Sequence, residues 1–165
     1  ARGAEVEHER PLDREPDLVV GKPEPALFTT AASNAHAKRP LAVGDRLDTD
    51  IQGAVGAGMD SLLVLTGVSG PADLLAAEPH RRPTFVAADL SGLFRLADEA
   101  AVPLKADEAG GWRVTRDGEA AKLDGSGDPV VALRLLCAAT WSGVPVEGIT
   151  AVSDEARELL SGWGL

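Results

Sequence analysis

The sequence predicts an α/β fold: a doubly wound parallel sheet, present in part, followed by a small C-terminal α+β appendage. Short apolar runs alternate with helix-patterned segments from residue 17 to about 97. One run, Ser61-Leu62-Leu63-Val64-Leu65-Thr66, is continuously apolar, as parallel strands covered on both faces are. Near residue 105 the alternation gives way to a hairpin signal and two helices. The expected organisation is an irregular lead-in over 1–16, a core over 17–104 and a ββαα appendage over 105–165.

Each element has a local reason. The lead-in carries eight charged residues, and Pro11 and Pro16 interrupt any helix. Asp17-Leu18-Val19-Val20 is a short β-branched strand stopped by Gly21. Pro25 to Ala35 reads as a helix with proline in its first turn and Leu27, Phe28 and Ala31 or Ala32 on one face. Leu41-Ala42-Val43 is a strand ending at Gly44. Thr49 to Ala57 is a helix of small residues that Gly58 ends. Pro71 to Ala77 is a helix, Thr84-Phe85-Val86 a strand, and Asp89 to Ala97 a helix opening on an acidic residue. Further on, Gly111–Arg116 and Glu119–Leu123 form a hairpin about Asp117-Gly118, because Asp-Gly suits positive φ. Gly125-Ser126-Gly127-Asp128 leads into and caps a helix over Pro129 to Trp141, with Val130, Leu133, Leu136, Cys137 and Thr140 at helical spacing. A last helix starts at Ser153.

The chain has 165 residues, with 16 Lys+Arg against 26 Asp+Glu and a formal net charge of −10. That acidic balance argues against a nucleic-acid partner, since a polyanion is repelled at long range. Cys137 is the single cysteine, so no internal disulfide forms, and no Cys/His cluster has structural zinc spacing. No apolar stretch approaches the roughly 20 residues that span a bilayer, and the N-terminus has no hydrophobic signal core. The expectation is a cytoplasmic protein without a membrane partner; the missing initiator Met points to a processed chain or a fragment.

Chemistry concentrates after two strand ends, where open α/β sheets place their ligands. Gly21-Lys22-Pro23-Glu24-Pro25 sets a lysine at a helix mouth, where amine and helix dipole both favour an anion; a solvated loop lysine is the alternative. Gly44-Asp45-Arg46-Leu47-Asp48-Thr49-Asp50 packs three carboxylates into six residues. Such a cluster calls for a cation, magnesium above all. Asp48 or Asp50 also suits a helix cap, the favoured reading for Asp48; Asp45, directly after the strand, has no such role.

Taken together, Val19-Val20-Gly21-Lys22-Pro23-Glu24-Pro25-Ala26-Leu27-Phe28, Pro40 to Ile51 and Ala57-Gly58-Met59-Asp60-Ser61 resemble the third and fourth motifs of the haloacid dehalogenase superfamily. They look most like its phosphatase branch, which includes phosphoglycolate, pyridoxal-phosphate and glycerol-3-phosphate phosphatases. The resemblance covers residues 17 to about 97. It implies magnesium-dependent hydrolysis of a small phosphorylated metabolite, such as glycerol 3-phosphate or phosphoglycolate, through an aspartyl-phosphate. Under it, Lys22 is catalytic and substrate-binding, neutralising charge on the nucleophile and phosphoryl oxygens. Asp45 binds Mg²⁺, and the catalytic Asp50 orients the lysine or a metal-bound water.

The family's first motif, with nucleophile and general acid, is not found among the 21 residues before Lys22. The chain therefore looks like the C-terminal portion of a phosphatase, inactive alone. In the family the nucleophile strand pairs with the strand ending at Asp45, so the expected partners are the missing N-terminal half or a second copy. The alternative is a non-catalytic module that binds Mg²⁺ and phosphate for regulation or assembly. A phospho-acceptor receiver domain fits less well, because there the lysine follows the acceptor aspartate. The appendage faintly resembles the acetyltransferase-like module of actinobacterial members, without an acetyl-CoA loop, and reads as a packing or dimerisation module. Arg134 and Trp141 read as structural, and Cys137 as a buried inert thiol. Gly53, Gly56 and Gly58 read as close-packing residues; His8, His36 and His80 read as surface histidines, and Arg81-Arg82 is too short for a nucleic-acid patch.

Overall fold

The computed structural model describes residues 21–165. The expected lead-in, the strand over Asp17–Val20 and His8 lie outside the described residues.

Helix α1, Pro25–Asn34, begins with Pro25 in its first turn. It ends in a Schellman arrangement: His36 takes a left-handed φ of 50°, and the Ala37 amide returns to the Ala32 carbonyl at 3.0 Å. The Phe28 ring lies where a Cβ on Gly53 would stand, and the Pro25 ring comes within 3.0 Å of the place of one on Gly56, so both glycines let α1 approach α2 closely.

Strand β1, Leu41–Gly44, leads through a π-helical turn, Leu47–Ile51, into α2, Gln52–Gly56, and Gly58 at φ 67° closes it. Helical winding thus starts at Leu47 rather than at the expected Thr49. Arg46 occupies the cap position, so Asp48 sits inside the turn and is not a cap. Strand β2, Asp60–Val64, is buried at every residue after the first, as a covered parallel strand should be. Helix α3, Pro71–Leu75, and β3, Phe85–Ala87, follow. The three strands form a parallel sheet in the order β1-β2-β3, with Val43 opposite Leu62 and Leu62 opposite Phe85. Among the described residues β1 has β2 as its only neighbour, and its Leu41 and Val43 are exposed.

The helix expected over Asp89–Ala97 is broken. Asp89 caps a 3-10 segment, Leu90–Phe94, by accepting the Ser91 amide at 2.7 Å; Arg95 and Leu96 are extended, and α4 is the short Ala97–Ala100. Leu90, Leu93, Phe94 and Leu96 imitate helical spacing but are all exposed. A short helix with no wall to bury its face lacks its main source of stability.

The rest forms a second, four-stranded sheet. Strands β4, Glu108–Ala109, β5, Trp112–Asp117, and β6, Ala120–Gly125, are antiparallel. Helix α5, Pro129–Thr140, then crosses to β7, Ile149–Ala151, which pairs parallel to β6, and α6, Asp154–Gly162, ends the chain. The appendage therefore has two strands more than the expected ββαα; at two and three residues, β4 and β7 are too short for a periodic signal. The hairpin turn is Gly118-Glu119, with Gly118 at φ 58° and Asp117 paired to Ala120, one residue later than expected. A glycine first in the turn fits the II′ family.

Helix α5 joins the two sheets. Ala132 to Ala139 are all buried, and the helix packs against β4, β5 and β6 on the one hand and α3 and β3 on the other. Leu63, Leu74 and Val86 thus share one hydrophobic core with Val114, Leu123, Leu133 and Leu136. Polar ties reinforce it. The Arg134 guanidinium donates to the Ala101 carbonyl at 2.6 Å and the Asp98 carbonyl at 2.7 Å, and burial pulls its pKa below the ordinary value. Trp141 donates its indole N–H to the Leu74 carbonyl at 3.1 Å, and Arg82 stacks on its ring at 4.9 Å.

Burial also pushes the Cys137 thiol well above its ordinary pKa of 9.0. A thiol reagent at pH 8 is expected to leave Cys137 unmodified in the native protein and to titrate it fully in denaturant. The folded value is raised, so Cys137 leaves stability untouched below pH 9.0 and lowers it above, where only the unfolded thiol ionises. Rapid modification of the native protein would contradict this burial.

Candidate functional site

Lys22 and Asp50 meet at the carboxyl end of β1, beside Asp45. The Lys22 amine donates to Asp50 Oδ1 at 2.6 Å. Asp50 is 6% exposed, and its second oxygen accepts the backbone amides of Asp45 at 3.3 Å and Arg46 at 3.2 Å. One carboxylate thus ties the lysine to the backbone that carries Asp45. The π-helical turn makes this possible. Both the Asp50 and Ile51 amides return to the Arg46 carbonyl at 3.1 Å, a widened turn from which the Asp50 side chain folds back over the amides at the turn's start.

Asp45, half-buried, is held from β2's side. Its Oδ2 accepts the Val68 amide at 3.1 Å, and its carbonyl accepts the Ser69 amide at 2.9 Å. Buried Ser69 in turn accepts the Leu47 amide at 3.0 Å, fastening the same loop to the start of the π turn.

Asp48 faces solvent and pairs side-on with Arg46, at 3.0 and 2.9 Å. The guanidinium hydrogen bonds hold its carboxyl below the usual range, and the same bonds raise Arg46. The side chains of this exposed pair make no hydrogen bond to those of Lys22, Asp45 or Asp50. A cavity of about 370 Å³ opens beside it, with Ser69, Asp73, Glu78 and Arg81 also in its wall, and none of those three site residues lines it.

For a metal, the donor set consists of hard carboxylate oxygens. Among the described residues no group of three or more His, Cys, Asp or Glu is placed to hold an ion. Asp45, with a single oxygen engaged by Val68, suits Mg²⁺, which takes one or two carboxylates and fills its remaining positions with water and phosphate oxygens.

Sequence reasoning missed the loop Gly67-Val68-Ser69. Its signal was only a turn-like composition after an apolar run, whereas its importance comes from the Val68 backbone amide, which no residue type encodes, and from a glycine that looks like any turn glycine. His80 is an exposed neighbour of Glu78, and Arg81 donates to Gln52 Oε1 at 2.9 Å. No helix among the described residues is long and apolar enough to cross a membrane.

Comparison with known proteins gives two adjoining matches. Residues 19–93 match the HAD-hydrolase-like family, and residues 109–165 match the GCN5-related N-acetyltransferase like domain. A D-glycerol 3-phosphate phosphatase from Mycobacterium tuberculosis is 39% identical over 158 residues, covering 89% of this chain and 45% of that protein. Phosphoglycolate phosphatase 2 from Arabidopsis thaliana is 38% identical over 88 residues, 52% of this chain and 29% of that protein. The crystal structure of a glycerol phosphate phosphatase from Mycobacterium tuberculosis in complex with magnesium superposes with a TM-score of 0.77 at 40% identity, covering 88% of this chain and 43% of that one. The chain thus spans under half the length of these relatives.

Proposed function

We propose, for a chain that belongs over residues 19–93 to the haloacid dehalogenase-like hydrolase family, that it is part of a magnesium-dependent phosphatase acting on a small phosphorylated metabolite. Glycerol 3-phosphate and phosphoglycolate are the substrates to try first, after the names of its relatives. The observation that carries this reading is the bridge in which Asp50 holds the Lys22 amine and the Asp45 backbone together.

In this reading Lys22 places its positive charge against the phosphoryl oxygens, and Asp50 fixes where that charge stands. Asp45 offers a carboxylate oxygen to Mg²⁺, which when bound neutralises charge on the phosphate. The carboxylate that accepts the phosphoryl group as an aspartyl-phosphate belongs to a segment outside these 165 residues, so this chain alone turns nothing over. That segment, or a second copy, would add a strand beside β1, whose exposed Leu41 and Val43 offer it a surface. The cell compartment proposed is the cytoplasm. The acetyltransferase-like module serves as a packing wall, as buried α5 already does.

A non-catalytic Mg²⁺- and phosphate-binding module is the second reading, since the Lys22–Asp50 pair and the Asp45 carboxylate would serve binding without turnover equally well. Magnesium-dependent phosphate release from 4-nitrophenyl phosphate by the chain joined to such a segment separates the two. For the site itself, calorimetry should show Asp45→Asn weakening Mg²⁺ binding and Lys22→Ala weakening vanadate binding, each by about tenfold to a hundredfold, the range of one lost charged interaction. Unchanged affinity in both variants would remove the assignment.

A further inference from the structure

Two glycines stand against the two aspartates, and neither is there for its backbone angles. Gly44 and Gly67 both lie outside the left-handed φ region, so the conformation alone would accept any residue. Space is what excludes one. A Cβ built on Gly67 overlaps the Cβ, Cγ and Oδ2 of Asp45, and a Cβ built on Gly44 overlaps the same atoms of Asp50. The overlap reaches the aspartate Cβ, which is fixed to the backbone, so a rotamer change of the carboxylate cannot relieve it. Gly67 is also exposed, so core packing does not ask for a glycine there.

We infer that Gly67 is a positioning residue for Asp45, and Gly44 its counterpart for Asp50: each missing side chain is the slot in which a carboxylate is held. The slot at Gly67 works with the next residue, because the carboxylate it admits lies 3.1 Å from the Val68 amide. Ser69 closes the arrangement on both sides, donating its amide to the Asp45 carbonyl and accepting the Leu47 amide. The loop after β2 therefore sets which way the oxygens of Asp45 face at the end of β1. This rests on the reading of Asp45 as a ligand to a divalent cation, but the geometric claim can be tested without metal.

The test uses the isotope-labelled 165-residue chain, with Gly67→Ala compared against Gly92→Ala. Gly92 is a matched control: a Cβ there overlaps the Ala87 side chain, a crowding that involves neither aspartate. In the parent chain the Asp45 side-chain carboxyl and the Val68 amide should show a scalar coupling across their hydrogen bond at one fixed pH. Gly67→Ala should abolish that coupling, and Gly92→Ala should keep it. In a second arm Mn²⁺ is the probe: broadening at the Asp45 and Val68 amides should need about tenfold more Mn²⁺ in Gly67→Ala and an unchanged amount in Gly92→Ala. Coupling retained in Gly67→Ala, or lost equally in both variants, overturns the inference. Coupling lost in Gly67→Ala alone, with no Mn²⁺ broadening in any chain, supports the positioning role and instead defeats the metal reading of Asp45.

Discussion

Replacing Asp50 by asparagine is expected to lower stability by about 2 kcal/mol and to unseat Lys22, although the side chain keeps its size. The carboxylate uses both oxygens: one accepts the lysine amine, the other the amides of Asp45 and Arg46. An amide side chain has a single acceptor oxygen, so one set of donors must go unmet, and its nitrogen turns a donor toward a donor. Hydrogen bonds to a charged group contribute about 1.5–3 kcal/mol. The lysine end is half-exposed, which pulls its share toward the lower limit; the backbone amides lie on the sheltered side. Urea unfolding should show a lower midpoint with an unchanged slope. The Lys22 side-chain resonance should also lose its restricted environment. A variant as stable as the parent, with Lys22 still fixed, would mean that Asp50 does not organise this end of β1.

Leu136→Ala is expected to have a larger effect, about 3–4 kcal/mol, within the range of about 2–5 for emptied core positions. Leu136 is fully buried, on a helix walled by both sheets, so little can collapse into the space left behind. Against a total stability of roughly 5–15 kcal/mol, that loss brings the chain close to unfolding at ordinary temperature. The informative measurement is hydrogen exchange. If the core is one, the amides of Leu63 in β2 and Leu123 in β6 should lose protection together. Loss at Leu123 with full protection at Leu63 would show two separable cores and contradict the central place given to α5.

The parallel sheet was legible because its signals are strong and local. A strand such as Asp60–Val64, buried from Ser61 on, needs a continuous apolar run, and Gly44 marks the end of β1. The caps at Asp128 and Ser153 were legible for a similar reason: side-chain oxygens accept the Val130 and Ala156 amides from within the adjoining turn. What escaped depends on distant walls. Leu90, Leu93 and Phe94 have helical spacing, and only the structure reveals that nothing covers them. Strand β7 is three residues long and owes its existence to pairing with β6.

The candidate site divides in the same way. Lys22, Asp45 and Asp50 stood out by charge and by position after strands, and the structure brings Lys22 onto Asp50. The widened turn that lets Asp50 reach back has no periodic signature in Leu47–Ile51, and it displaced the expected cap at Asp48. Gly67 and Val68 act through a vacancy and a main-chain N–H, and both look like ordinary turn residues until the neighbour they hold is known.

The connection between the two sheets runs through Lys105-Ala106-Asp107, which is exposed, while α5 beyond it is buried against the first sheet's own helix and strand. A protease that nicks the backbone after Lys105 would therefore cut a tether and leave the assembly standing. The two pieces should travel together through gel filtration and part only in denaturant, and, made separately, they should find each other by complementation, each being the other's missing interior.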